Sequence, residues 1–535
     1  MRRRSEAAGG LAPGNGVRSH RHTPSNTFLL VSRLSKNILS NVLGQGLSLI
    51  VSFAAVRLVF RRLGGDALGL IYFNQSVSVA LMLALELGIC KTTVREVASH
   101  YSDDPHYVRQ LIGTATSFYW SAYILLSSLA YVVVPPLIRH WVHLESLDQF
   151  AATRVMRILI FGTLLSLPRG LYDSLLLGLE RMSHTNALRV GIAAAQPLGI
   201  FLVLVFHGSL LVVAYWIAAC YLAGVLIYFI VCAQFFSWRS LLPGFDARVV
   251  RLNRKFSAQA FAISVSGWFL GETDKLVISR LLPLAVMGSY TVAKGAVSRC
   301  SMLTVAINEA TYPHLSTLYK ADDMERFRAQ YQKLQDLVCA AILPLYAALP
   351  FVSLPVFSFM FTPQAARSLL LPVTILAFGS YLYGTVTIPN VAALAAGKPE
   401  IVAKLNSFAV FVVVLGYIAF TRFFGLAGAS LGFVLYPLLA YAYAIPRTCR
   451  ECLGIATGAW FARDLRFLGL GGAIYGTAWL VVNCRGALTP VWLLPAYLLA
   501  TLAFLLAAYV TLRGELRGAL RRLPGMANPR RAEAG

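Results

Sequence analysis

Glu272, Asp274 and Lys275 fall within one turn of an otherwise apolar stretch, and Lys294 and Arg299 follow in the next one. An ionisable group inside an apolar span costs a few kcal/mol to insert, so each is a functional candidate. Glu272 and Lys275 stand three residues apart, within pairing reach on a helix. They form either a proton or cation site, with the carboxylate tuned by the ammonium, or an interfacial salt bridge. Gly267 and Gly271 have the spacing of a close helix contact. Arg169 and Asp173, four apart and just after Pro168, share a helix face as a self-satisfied pair or as part of a site. Arg57, Arg169, Lys275, Lys294 and Arg299 together suit an anion, and the guanidinium forks suit phosphate. Glu86, Asp173, Glu272 and Asp274 are the carboxylates that could couple to an ion.

These side chains need membrane helices to hold them. With 57% hydrophobic and 13% charged residues and a mean hydropathy of +0.66, the 535-residue chain is no soluble globular protein. Apolar runs of spanning length are read at 38–60, 67–89, 111–134, 155–177, 187–206, 210–236 and 258–278, then at 287–311, 334–360, 368–392, 402–420, 427–446, 469–483 and 491–511. The expectation is an all-α polytopic membrane protein of about fourteen transmembrane helices. The net charge of +24 is spread over loop after loop, which fits a positive-inside bias with both termini cytoplasmic and does not fit nucleic-acid binding. The domain reading is a disordered basic tail (1–33), a six-helix lobe (34–236), a cytoplasmic loop (237–257), a second six-helix lobe (258–446), two further helices (447–511) and a basic tail (512–535) suited to anionic headgroups.

Polar stripes mark where the helices enclose water. Asn41, Gln45, Ser48 and Ser52 line up on the first helix, Gln75, Ser78 and Glu86 on the second, and Lys294, Ser298, Ser301 and Asn308 on the eighth. Polar faces cannot turn to lipid unsatisfied, so they line a shared wet cavity or pack on one another.

The two lobes repeat each other. Arg57-Leu-Val-Phe-Arg-Arg-Leu63, with Ala67 and Tyr72, is answered by Lys275-Leu-Val-Ile-Ser-Arg-Leu281, with Ala285 and Tyr290, at an offset of 218. Ser102-Asp-Asp-Pro105 is answered by Ala321-Asp-Asp-Met324 at 219. Both copies of the first element close an outward-running helix, so the lobes are parallel repeats, the signature of a chain that moves something. The counterparts of Glu272 and Asp274 are Ala54 and Val56, so the acidic pair breaks the symmetry.

The sequence carries no P-loop, HExxH or GxSxG motif, and neither a catalytic site, a cofactor nor a metal is expected. Cys449 and Cys452 form a CxxC without a second pair or a histidine cluster. The longest outward connection, 135–154, reads as an amphipathic lid on the membrane surface.

The order and spacing of several segments resemble the polysaccharide flippases (Wzx-like) of the multidrug/oligosaccharidyl-lipid/polysaccharide exporter superfamily. Those segments are Ser35-Lys-Asn-Ile-Leu-Ser-Asn-Val-Leu-Gly-Gln45, Thr273-Asp-Lys-Leu-Val-Ile-Ser-Arg280, Gly288-Ser-Tyr290, and the turn Gly178-Leu-Glu-Arg181 with Gly397-Lys398 at its repeat position. The resemblance covers about 34–450 and implies two parallel six-helix lobes around a central cavity, with a two-helix extension. It implies a flippase that carries an undecaprenyl-diphosphate-linked oligosaccharide out of the cytoplasmic leaflet of a bacterial inner membrane for polysaccharide or lipopolysaccharide synthesis; the alternatives are a drug or metabolite antiporter of the same superfamily, a lipid-precursor flippase for peptidoglycan and, in a different class, a membrane polysaccharide polymerase or ligase. The implied partners are the lipid-linked glycan, membrane lipids, a polysaccharide polymerase and a chain-length regulator, and no nucleic acid. By position it points to Arg57, Lys275, Lys294 and Arg299 as the cavity cations.

Overall fold

A computed structural model describes residues 50–86, 88–484 and 490–521. The 1–33 tail, the stripe residues Asn41, Gln45 and Ser48, and the last residues of the C-terminal tail lie outside these. The helices below belong to the unit that begins at Val51. α1 (51–58) runs into a π-helical turn, Val59–Leu63, and is followed by α2 (Gly65–Glu86), α3 (Ile89–His100), α4 (Pro105–His140), α5 (Gln149–Leu164), α6 (Ser166–Gly178), α7 (Met182–Val205) and α8 (Leu210–Cys232). After a connection at 233–246 come α9 (Ala247–Leu281), α10 (Leu284–Arg299), α11 (Met302–Lys320), α12 (Met324–Met360), α13 (Pro363–Ala395) and α14 (Pro399–Leu439). α15 (Ile445–Thr448) lies between two π-helical turns, and α16 (Thr457–Cys484) and α17 (Pro490–Arg521) are the last described helices. The protein is all-α among the described residues, as an unbroken series of apolar spans requires.

Ten described segments are long and apolar enough to cross a bilayer. One of them, Pro399–Leu453, holds two expected spans, because Gly425 leaves helical geometry at φ 56 and ψ −133. The seventh and eighth expected spans correspond to α9 and to the α10–α11 pair, which carry Glu272, Asp274, Lys275, Lys294 and Arg299. α5 and α6 are one expected helix broken at Leu165: Pro168 has no N–H to return to Leu164, and the chain bends there. α10 and α11 are likewise one expected helix, broken at Cys300 and Ser301, whose N–H groups bond back only three residues to Val297 and Ser298. Asn308 is thereby carried away from the face that Lys294 presents, and it lines neither cavity described below.

The repeat has a physical basis at each anchor. Asp104 caps α4 by accepting from the Tyr107 N–H, and Asp323, 219 residues later, caps α12 by accepting from the Arg326 N–H. The turns after α6 and α13 are also alike, since Arg181 N–H bonds to Leu176 and Lys398 N–H to Ala393. The left-handed residues are Glu180 (φ 57) and Gly397 (φ 71), so Glu180, rather than Gly178, is the counterpart of Gly397. Glu180 is exposed and strained where its partner is glycine. Glu180→Gly should therefore stabilise the protein by about 1 kcal/mol, read as a higher thermal midpoint of the purified protein.

The repeat-related helices α2 and α10 meet each other. A Cβ on Gly69 would stand 2.1 Å from the Leu284 carbonyl oxygen, and one on Gly288 would stand 2.7 Å from the Gly69 nitrogen. Only glycine allows this approach. The crossing joins the α1–α2 and α9–α10 corners, and these four segments enclose the first cavity described below.

Candidate functional site

The cavity beneath the crossing measures about 370 Å³. α1 contributes Ser52, α2 contributes Tyr72 and Gln75, α9 contributes Glu272 and Lys275, and α10 contributes Lys294, Ser298 and Arg299. Three of the five cations read from the sequence therefore meet in one place. They differ in their partners. Lys275 Nζ holds both oxygens of Glu272, at 2.9 and 2.8 Å, and the Ser76 hydroxyl reaches the same carboxylate at 3.4 Å. Lys294 Nζ donates to Asp274 Oδ2 at 2.6 Å and to the Gly271 carbonyl at 2.9 Å, while the Tyr290 hydroxyl donates to Asp274 at 2.9 Å. Arg299 makes no ion pair among the described residues. Its guanidinium lies 5.7 Å from the Phe53 ring centroid, exposed to the cavity.

Burial separates the two acids. Asp274 is 0% exposed and its Oδ1 has no partner among the described residues, so it belongs to the wall of α9 against α10. Glu272 faces the cavity. Gly267 and Gly271 also differ from their expected role: a Cβ on either would meet nothing within 4 Å, so they open space instead of admitting a helix.

The remaining candidates lie elsewhere. Arg57, the repeat counterpart of Lys275, stacks 3.6 Å from the Phe359 ring centroid. Where Lys275 has Glu272, Arg57 has Ala54 in the corresponding position, and it turns to a ring. Arg169 and Asp173 do not pair with each other. Asp173 takes Arg189 of α7, with Arg189 Nε at 3.2 Å, and the Tyr228 hydroxyl at 3.1 Å, while Arg169 lies 5.7 Å from the Tyr221 ring centroid. Spacing allowed the i, i+4 pair, but the guanidinium of a neighbouring helix reaches the carboxylate in a fork. Neither residue lines the cavity. Ser78 is buried against Thr163 at 2.6 Å, and the Glu86 side chain lies outside those described.

A second cavity of about 340 Å³ adjoins the first, with Gly271, Lys294 and Ser298 common to both. Its other walls come from α9, α13 and α14 and include Ser380, Tyr383, Asn406, Tyr417 and Tyr436. The sequence reading missed it. The available signal was Asn406, an amide inside the apolar run 402–420.

The 135–154 connection is tied down more firmly than a surface lid. Asp66, 1% exposed, accepts on one oxygen from the N–H groups of Glu145, Ser146 and Leu147 at 2.8, 2.6 and 3.1 Å and from the Ser146 hydroxyl at 3.0 Å. The same loop reaches the other side of the crossing. Trp141 Nε1 donates to the Ser279 hydroxyl at 3.0 Å, Arg280 donates to the His140 carbonyl, and Leu284 N–H donates to the His143 carbonyl at 3.0 Å.

Comparison with known proteins agrees with this architecture. Residues 119–368 match a family described as polysaccharide biosynthesis protein. A Shigella flexneri protein named "Putative O-antigen transporter" is 21% identical over 435 residues, covering 76% of this chain and 95% of its own. Among solved structures, the lipid II flippase MurJ in an inward closed conformation superposes with a TM-score of 0.70 at 12% identity, over 89% of this chain and 99% of that one. An inward-facing multidrug resistance MATE transporter of the MOP superfamily gives 0.59 at 13% identity, over 73% and 91%. The chain is thus an all-α polytopic membrane protein with the fold of these solved transporters, and its residues 119–368 match the polysaccharide biosynthesis protein family.

Proposed function

We propose that the chain carries an undecaprenyl-diphosphate-linked oligosaccharide repeat unit from the cytoplasmic to the periplasmic leaflet by alternating access of its two lobes, 34–236 and 258–446. The observation that carries this reading is Arg299, a cavity guanidinium without an ion pair among the described residues, standing with Lys275 and Lys294. The two lysines are each neutralised by a carboxylate, which leaves Arg299 as the fork for an incoming diphosphate. The name of the Shigella flexneri relative supports a polysaccharide precursor as the substrate class.

The physical task is to pass sugars and a diphosphate across about 30 Å of hydrocarbon. Bare desolvation of those groups is prohibitive, and a hydrated cavity with fixed donors replaces the water they lose. By the positive-inside bias both termini face the cytoplasm and the α2–α10 crossing faces the periplasm, so the crossing must part for release. Glu272, which faces the cavity and is neutralised by Lys275, is the carboxylate placed to couple an ion. The lipid-linked glycan would pass on to a polymerase and its chain-length regulator.

The test is translocation of a labelled lipid-linked glycan by the purified full-length chain in proteoliposomes. Arg299→Ala should lower the rate at least tenfold, and Arg299→Lys should give an intermediate rate, because an ammonium keeps the charge but loses the fork. No translocation by the parent protein, or parental rates in Arg299→Ala, would overturn the reading.

A further inference from the structure

The second cavity differs in chemistry from the first. Among the described residues Lys294 is the one charged side chain in its wall, and that ammonium is already held by Asp274 and the Gly271 carbonyl. The rest is uncharged: aliphatic at Leu270, Val297, Leu376 and Val413, and otherwise aromatic, hydroxylic and amide. Tyr383 and Tyr436 lie with ring centroids 5.7 Å apart at 42°, and the Tyr436 hydroxyl donates to Asn406 Oδ1 at 2.8 Å, which leaves the Asn406 amide N–H groups to donate elsewhere. Tyr417, another wall residue, is 0% exposed, and its hydroxyl has no partner among the described residues. A buried hydroxyl without a partner costs free energy that a ligand with hydroxyls can recover.

Rings that offer a flat apolar face, beside an amide and several hydroxyls, suit a ligand with apolar C–H faces and a rim of hydroxyls. The absence of an available charge disfavours a second phosphate. Position adds to this. The cavity opens from the cationic one past Gly271, Lys294 and Ser298, and Gly267 and Gly271 leave the passage clear. A sugar joined to a diphosphate held at Arg299 would lie in that direction.

We infer that this cavity of the second lobe, walled by Tyr383, Asn406, Tyr417 and Tyr436, is a subsite for an uncharged sugar ring of the substrate, adjoining the diphosphate site. The inference rests on the flippase reading and deepens it: it assigns sugar recognition to neutral residues of α13 and α14, apart from the cations of α9 and α10.

The experiment measures equilibrium binding of short-chain prenyl diphosphate probes to the purified full-length protein. One probe is bare, and two carry a single N-acetylglucosamine or a single galactose. The parent should bind at least one sugar-bearing probe ten times more tightly than the bare one. Tyr383→Ala and Asn406→Ala should each bring that ratio below three while leaving the bare probe unchanged. Tyr383 is 45% exposed, so its truncation leaves the core packed. Arg299→Ala should weaken every probe. Equal affinity of the parent for all three probes, a ratio that survives both wall variants, or equal weakening of bare and sugar-bearing probes in those variants would overturn the subsite. The bare diphosphate would still report on the flippase reading. Failure of the parent to bind any probe would overturn both.

Discussion

Lys294→Ala should reduce the amount of folded protein, whereas Arg299→Ala should leave it at the parental level. The two cations look equivalent in the sequence, five residues apart on one helix, but the structure gives them opposite surroundings. Asp274 is fully buried, and its charge is met by the Lys294 ammonium at 2.6 Å, with one hydroxyl from Tyr290. Removing one partner of such a pair leaves an uncompensated buried charge, at a cost of about 3–5 kcal/mol. Removing Arg299 leaves no acid unpaired among the described residues. The check is the thermal midpoint and detergent-soluble yield of Lys294→Ala, Arg299→Ala and the double variant Lys294→Ala/Asp274→Asn. The double variant should recover most of the loss, because the neutral amide no longer needs a cation. A parental midpoint for Lys294→Ala would show that Asp274 does not depend on the ammonium, and a loss equal in the single and double variants would place the damage in packing.

That distinction marks how far the sequence reaches. The repeat was legible because its anchors are local: Ser102-Asp-Asp-Pro and Ala321-Asp-Asp-Met recur in sequence, and the structure adds that Asp104 and Asp323 cap the helices that follow. The asymmetry of Glu272 and Asp274 against Ala54 and Val56 was legible for the same reason, and it falls in the wall and rim of the cavity. Which acid meets which base was not. Asp173 has Arg169 at helical spacing but takes Arg189 from α7, and Asp274 has Lys275 beside it but takes Lys294 from α10. Within a bundle, a long cation on a facing helix competes with a neighbour on the same one, and helix rotation decides between them. The neutral subsite was least legible, since tyrosines in apolar spans are as readily core as wall.

Asp66 shows the same limit most sharply, because its partners are backbone groups of a loop some eighty positions away. Nothing in the loop sequence asks for a carboxylate, and the first-turn position of Asp66 on α2 already suits an acid through the helix dipole. Yet the carboxylate gathers three successive N–H groups and a hydroxyl, and the loop so held also bonds to Ser279, Arg280 and Leu284 across the crossing. Asp66→Ala should therefore cost about 3 kcal/mol, since hydrogen bonds to a charged acceptor are lost and buried donors are left unpaired. Asp66→Asn, which keeps one oxygen acceptor without the charge, should cost about half of that. Hydrogen–deuterium exchange reads the mechanical consequence: in Asp66→Ala the amides of 144–147 should exchange faster, and so should that of Leu284, whose acceptor is the His143 carbonyl of the same loop. Faster exchange confined to 144–147 would mean that the loop is pinned to α2 alone. Faster exchange on both sides would make Asp66 the anchor of a strap across the α2–α10 crossing, which then must yield whenever that end of the cavity opens.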